Sequence, residues 1–142
     1  MTMTLTLIFT LDNELYGLEI DAVQEIIENP VVHHVPRAEG VVGGAINFHG
    51  QILACVDLPA LLGFSGAPRD PRRVVLTAKF KSLALSVSGI QRIVELDLSA
   101  LRLPPASAQK NAIRGVTTLD ETTINLLDCN EVIHQLEHLY AQ

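Results

Sequence analysis

Apolar residues along this chain fall in short runs broken by Gly, Pro and polar pairs, the pattern of a strand-rich protein. The clearest case is Gly43–Leu58, reading GGAINFHGQILACVDL. Its runs Ala45–Phe48 and Ile52–Leu58 are separated by His49-Gly50 and Gln51, which predicts a β-hairpin turning at His49-Gly50. Phe48 then faces Gln51, and Asn47 faces Ile52. Ile46, Phe48, Leu53 and Cys55 share one face, and Ala45, Ile52, Ala54 and Val56 the other. Both faces are apolar, so the hairpin is expected to be covered on both sides.

Upstream, Thr4–Leu11 and Leu15–Ile20 read as strands around the turn Asp12-Asn13. Asp21, with Gln24 three residues on, resembles a capping box and predicts a short helix ended by Pro30. Its apolar face would be Val23, Ile26 and Ile27, with Gln24, Glu25 and Glu28 pointing away. Val31–Val35 is a short extended piece closed by Pro36, and Pro59–Leu62 a helical turn stopped by Gly63. The polar stretch SGAPRDPRR, Ser65–Arg73, is the natural internal boundary.

Beyond that boundary the pattern starts again. Arg73–Ala78 matches Thr6–Leu11, Leu83–Glu95 matches Tyr16–Glu28, and Gly115–Ile133 matches Gly44–Leu62. Gln91 falls on Gln24, Ile90 on Val23, Leu119 on Phe48 and Asp128 on Asp57. The repeat predicts a mainly β single domain spanning about 4–142. Its halves cover about 4–64 and 73–130, each with about five short strands and one short helix. Units this small would share a core, and closure into barrels would remove exposed edges. A helix over about 131–140 ends the chain, with Val132, Ile133, Leu136, Leu139 and Tyr140 as its apolar stripe.

Composition narrows the function. The chain has 142 residues, is 48% hydrophobic and carries a net charge of −6, with its Lys and Arg scattered, which argues against a nucleic-acid surface. The start MTMTLTLIFTLD lacks the charged onset and long apolar centre of a signal peptide, and no apolar run reaches membrane-spanning length. The expectation is a cytoplasmic protein without direct membrane insertion, its Cys55 and Cys129 unpaired in the core. His134 and His138 have metal-compatible helical spacing but no evident third ligand, and adjacent His33 and His34 point to opposite sides of a strand. No nucleophile elbow, Walker or dinucleotide-binding glycine motif is present. The reading is a non-enzyme with no cofactor, an interaction module whose groove between halves suits a partner helix. A small metal- or ligand-binding β protein using the histidines is the alternative from another class.

The segments FTLDNELYGLEIDAVQEII, VVGGAINFHGQILACVDL, LSVSGIQRIV and INLLD together resemble the CheW-like family, over about Thr6 to Leu136. The resemblance implies two intertwined SH3-like five-stranded barrels. It also implies an adaptor coupling the cytoplasmic tips of methyl-accepting chemoreceptors to the regulatory domain of a CheA-type histidine kinase. The isolated CheA regulatory domain is the near rival. Carried over, the receptor- and kinase-contacting positions fall on Val23, Glu25, Ile26, Asn47, His49, Gly50 and Ile90; Val23 and Ile26 suit barrel core equally well. Two departures stand out: His49 replaces the family Arg in the hairpin turn, and Ser88 replaces the family acid. Arg is always charged and can fork onto a carboxylate, whereas His is mostly neutral near pH 7. Any pair between Glu25 and the turn would therefore be weaker than the family's. An adaptor for a non-flagellar pathway, such as one governing pili, is the variant these departures suggest.

Overall fold

A computed structural model describes residues 3–35, 40–104, 106 and 112–139. Pro36 and Tyr140, both used in the sequence reading, lie outside the described residues. Among the described residues eleven strands and two α-helices follow in order. The first half holds β1 (Met3–Leu11), β2 (Glu14–Glu19), β3 (Val23–Ile27), β4 (His33–His34), β5 (Val42–Phe48), β6 (Gln51–Asp57) and α1 (Leu58–Leu61). The second holds β7 (Arg73–Leu76), β8 (Leu83–Ser86), β9 (Gly89–Asp97), β10 (Ile113–Leu119), β11 (Thr122–Leu127) and α2 (Cys129–Leu139).

The repeat is real and interleaved. One sheet runs β10-β11-β2-β1-β9 and the other β3-β7-β8-β6-β5-β4. Replacing each strand by its repeat partner converts the first order into the second, apart from the added β4. Each sheet thus takes strands from both halves of the sequence. The parallel pairs correspond as well: β11 on β2 at Asn125↔Tyr16, and β6 on β8 at Ala54↔Leu83. The largest buried cluster is shared between the sheets and the helices, and includes Leu7, Phe9, Tyr16, Val56, Val74, Leu85, Val132 and Leu136. Each sheet also wraps a small core of its own, Ile46, Leu53, Cys55, Val75 and Ala84 in one, Ile8, Leu96 and Ile124 in the other. Each such side chain taken from water contributes roughly 1.5–3 kcal/mol, so the shared cluster dominates stability.

The helix expected from Asp21 does not form. Ile20–Ala22 is a single 3-10 turn without a side-chain cap, and Val23–Ile27 is strand β3, antiparallel to β7. A β-bulge explains the misreading. Val23 pairs with Leu76 and Glu25 with Val75, leaving Gln24 as an extra residue. That insertion spaces the apolar residues by three rather than two, which imitates a helical period. The twin bulge at Gln91 does the same in β9, where Ile90 pairs with Phe9 and Arg92 with Ile8.

The hairpin β5–β6 has the expected register, Phe48↔Gln51 and Asn47↔Ile52. Its expected double cover holds only in part: Ile46, Leu53, Cys55 and Val56 are buried, but Ile52 near the tip is 68% exposed. The last helix begins at Cys129 rather than Glu131, because the Asp128 carboxylate accepts a hydrogen bond from the Glu131 amide at 3.1 Å. Gly44 and Gly115, repeat partners, are each pressed by a neighbouring segment. A Cβ on Gly44 would lie 2.5 Å from Val32 Cγ1, and one on Gly115 would lie 3.0 Å from the Arg102 carbonyl oxygen.

Candidate partner-binding surface

Two-residue hairpins favour turns with positive φ at both central residues, which suit the strand twist. His49 (φ 51°) and Gly50 (φ 87°) adopt that form. Asn47 supports it, its Oδ1 accepting from the Gly50 amide at 2.9 Å. The turn lifts the His49 ring against Phe48, centroids 4.4 Å apart, and brings its Nε2 to 3.4 Å from Glu25 Oε1 on β3. Glu25, His49, Asn47 and Gly50 therefore form one exposed group, with Ile52 uncovered beside Asn47 on the next strand.

Val23, Ile26 and Ile90 behave differently. All three are half-buried and pack against the shared core. Val23 and Ile26 come from the edge strand of one sheet and Ile90 from the edge strand of the other. Their packing against that cluster accounts for their burial.

The start of β9 is fixed by a network within the polar stretch Ser65–Arg73. Asp70 is buried; its amide donates to the Val87 carbonyl at 2.9 Å and its Oδ2 accepts from the Ile90 amide at 2.9 Å. Arg72 binds the same carboxylate through Nε (3.0 Å) and Nη2 (2.8 Å) and reaches the Ile90 carbonyl at 3.1 Å. The Arg72 side chain and the backbone donors together hold the Asp70 carboxyl well below the usual carboxylate range. Ser88 accepts from the Asp12 amide at 2.8 Å and so secures the β1–β2 turn.

The repeat places a second tip at Asp120-Glu121, in the position of His49-Gly50, and the structure bears it out. In the twin hairpin β10–β11 the turn is Asp120-Glu121, and Asp120 lies 3.9 Å from Arg92, the repeat partner of Glu25. Arg92 is the residue left unnamed by the sequence, and the repeat register from Glu25 leads to it. Among the described residues no group of three or more His, Cys, Asp or Glu side chains could hold a metal ion. His134 instead leans toward Glu131 at 3.7 Å. Both cysteines are free and buried, and burial pushes the Cys129 thiol up to about 12.

The CheW-like domain profile matches residues 5–137, nearly the whole chain. The chain belongs to the CheW-like family. Among its relatives are the chemotaxis protein CheW of Klebsiella aerogenes, 29% identical over 136 residues (92% of this chain, 82% of the relative), and that of Thermotoga maritima, 25% identical over 133 residues (90% and 86%). The scaffolding protein TtCheW of Thermoanaerobacter tengcongensis has the same fold, with a TM-score of 0.77 at 22% identity and 88% of each chain covered. The CheW-like fold is thus present with its C-terminal helix, although the sheets curl without ladders closing them into full barrels among the described residues. No described helix is long and apolar enough to cross a membrane.

Proposed function

We propose that this protein is a non-catalytic, cytoplasmic chemotaxis-type adaptor, acting as one domain, that couples the cytoplasmic tips of chemoreceptors to the regulatory domain of a CheA-type histidine kinase. The observation that carries the reading is the family match over residues 5–137, which spans every strand that frames the Glu25–His49 group. An exposed carboxylate beside the uncovered Ile52, on a rigid hairpin, suits an amphipathic partner helix: apolar contact supplies affinity and the charge sets register. Val23, Ile26 and Ile90 would shape the floor of that contact, and Asn47 and Gly50 hold the turn.

The second reading, an adaptor of a non-flagellar chemosensory pathway, is favoured by His49. A pull-down on a standard receptor tip, with kinase present, compares wild type with Glu25→Lys and His49→Arg. The adaptor reading expects Glu25→Lys to lose binding about tenfold, the scale of a contact residue. Retained binding by a folded Glu25→Lys protein would remove this surface from the proposal. Stronger binding by His49→Arg would support altered partner choice; equal binding would make the His substitution neutral.

A further inference from the structure

The repeat exposes a difference away from the hairpin tips. In one half Arg114, the bulged residue of β10, forms an ion pair with Glu19 at the end of β2. The repeat partners of these two are Gly43, the bulged residue of β5, and Ser86, at the end of β8. Arginine and glutamate are thus replaced by a hydrogen atom and a short hydroxyl. A Cβ on Gly43 would meet nothing within 4 Å. A cavity of about 210 Å³ lies there, walled in part by Gly43, Ser86, Arg69, Arg73, Asp57 and Cys55.

Its polar groups are cationic in excess. Arg69 is matched to Asp57, Nε to Oδ1 at 2.7 Å. Arg73 is not matched to an acid among the described residues. Its Nη1 donates to the carbonyls of Asp70, Pro71 and Arg72 at 3.3, 3.0 and 3.3 Å, and its buried Nε has no hydrogen-bond partner. Cys55 adjoins the guanidinium, but burial pushes the thiol up more than Arg73 draws it down, so the sulfur stays neutral and leaves the charge uncompensated. A half-buried guanidinium with an unmet N–H and no counter-charge is costly, and folded proteins pair such groups.

We propose that this cavity binds a small oxyanion, carboxylate or phosphate in size, which takes against Arg73 and Ser86 the place that the Glu19 carboxylate holds against Arg114 in the other half. The anion accepts from the Ser86 hydroxyl and from the Arg73 guanidinium, two donors that line the cavity, a charge-assisted site of the kind arginine favours. Gly43 leaves room for its approach.

Amide and arginine-side-chain NMR spectra, recorded while sodium phosphate or sodium acetate replaces sodium chloride at constant ionic strength, test this on the full chain. Saturable shifts at Gly43, Gly44, Ser86 and the Arg73 Nε–H are expected with either oxyanion. Arg73→Gln should weaken binding about tenfold, the scale of one charge-assisted contact. Ser86→Glu, which supplies an internal carboxylate, should abolish it in a protein whose remaining spectrum is unchanged. Shifts no larger than in chloride, or shifts indifferent to both variants, would overturn the site. So would an Arg73 Nε–H already displaced in oxyanion-free buffer that reverts in Glu39→Gln, since the carboxylate would then be the chain's own.

Discussion

The two hairpin tips share a backbone and place their charges in opposite order. At one, Glu25 on β3 faces His49 in the turn; at the other, Arg92 on β9 faces Asp120 in the turn. Both turns carry positive φ at both central residues, and both facing strands carry a bulge one residue earlier, at Gln24 and Gln91. What is duplicated is therefore geometry: bulge, twist and turn. What differs is the chemistry carried on it, acid on the strand in one half and acid in the turn in the other. A partner that reads charge can tell the ends apart although their backbones correspond.

The comparison breaks most severely away from the tips. Asp70 and Arg72 occupy the positions that Met3 and Leu5 hold in the other half, where both side chains are about half exposed. Asp70→Ala should cost about 3 kcal/mol in urea unfolding, since it leaves Arg72 and the Ile90 amide without their acceptor. The matching Met3→Ala should cost well under 1 kcal/mol, as expected of an exposed position. The Asp70 carboxyl is depressed in the folded state, so its contribution is fully present above the unfolded carboxylate range near pH 4 and is lost as pH falls through the folded value. Asp70→Asn should flatten the acid limb of the stability–pH curve; an unchanged limb would show that other carboxylates govern it.

Next come the packed glycines. Gly44→Ala and Gly115→Ala should each cost about 1–3 kcal/mol, because each new methyl group meets a neighbouring segment that must shift. The Gly44 change should be the larger, given the 2.5 Å approach to Val32 against 3.0 Å to the Arg102 carbonyl. The turns differ more gently. Glu121, non-glycine at φ 65°, occupies the position of Gly50 at φ 87°. Glu121→Gly should stabilise by about 1 kcal/mol and Gly50→Ala destabilise by a similar amount, both read from thermal midpoints. Smallest are the ion pairs: Glu25→Gln and Arg92→Gln should each change stability by under about 0.5 kcal/mol, as exposed pairs do. A larger effect would mean that the tips help hold the sheets closed.

The strands, the hairpin register and the repeat were all legible because apolar runs, glycine turns and repeated identities report on local backbone directly. Glu25 and His49 are legible through the resemblance to the CheW-like family, and their proximity only through the fold. The β3 element was misread because a bulge shifts period two into an imitation of period three. Asp70 was overlooked for a different reason. A buried carboxylate in a Pro- and Arg-rich stretch looks like any loop acid, and only the fold brings the β8–β9 junction over it. The exchange of strands between sheets is likewise invisible to local pattern, since pairing partners lie far apart along the chain.

That exchange governs how the molecule can come into being. Among the described residues β3 pairs only with β7, and β9 only with β1, so neither half of the chain can complete its sheet until the other has been made. An emerging nascent chain would hold β1 and β2 waiting for a strand nearly ninety residues downstream, which favours late, all-or-none folding. A free-standing first half could satisfy its strands only by trading β3 with a second copy, as in a swapped dimer. The single chain amounts to the covalent form of such a pair, and one chain lets each end arrange its charges differently.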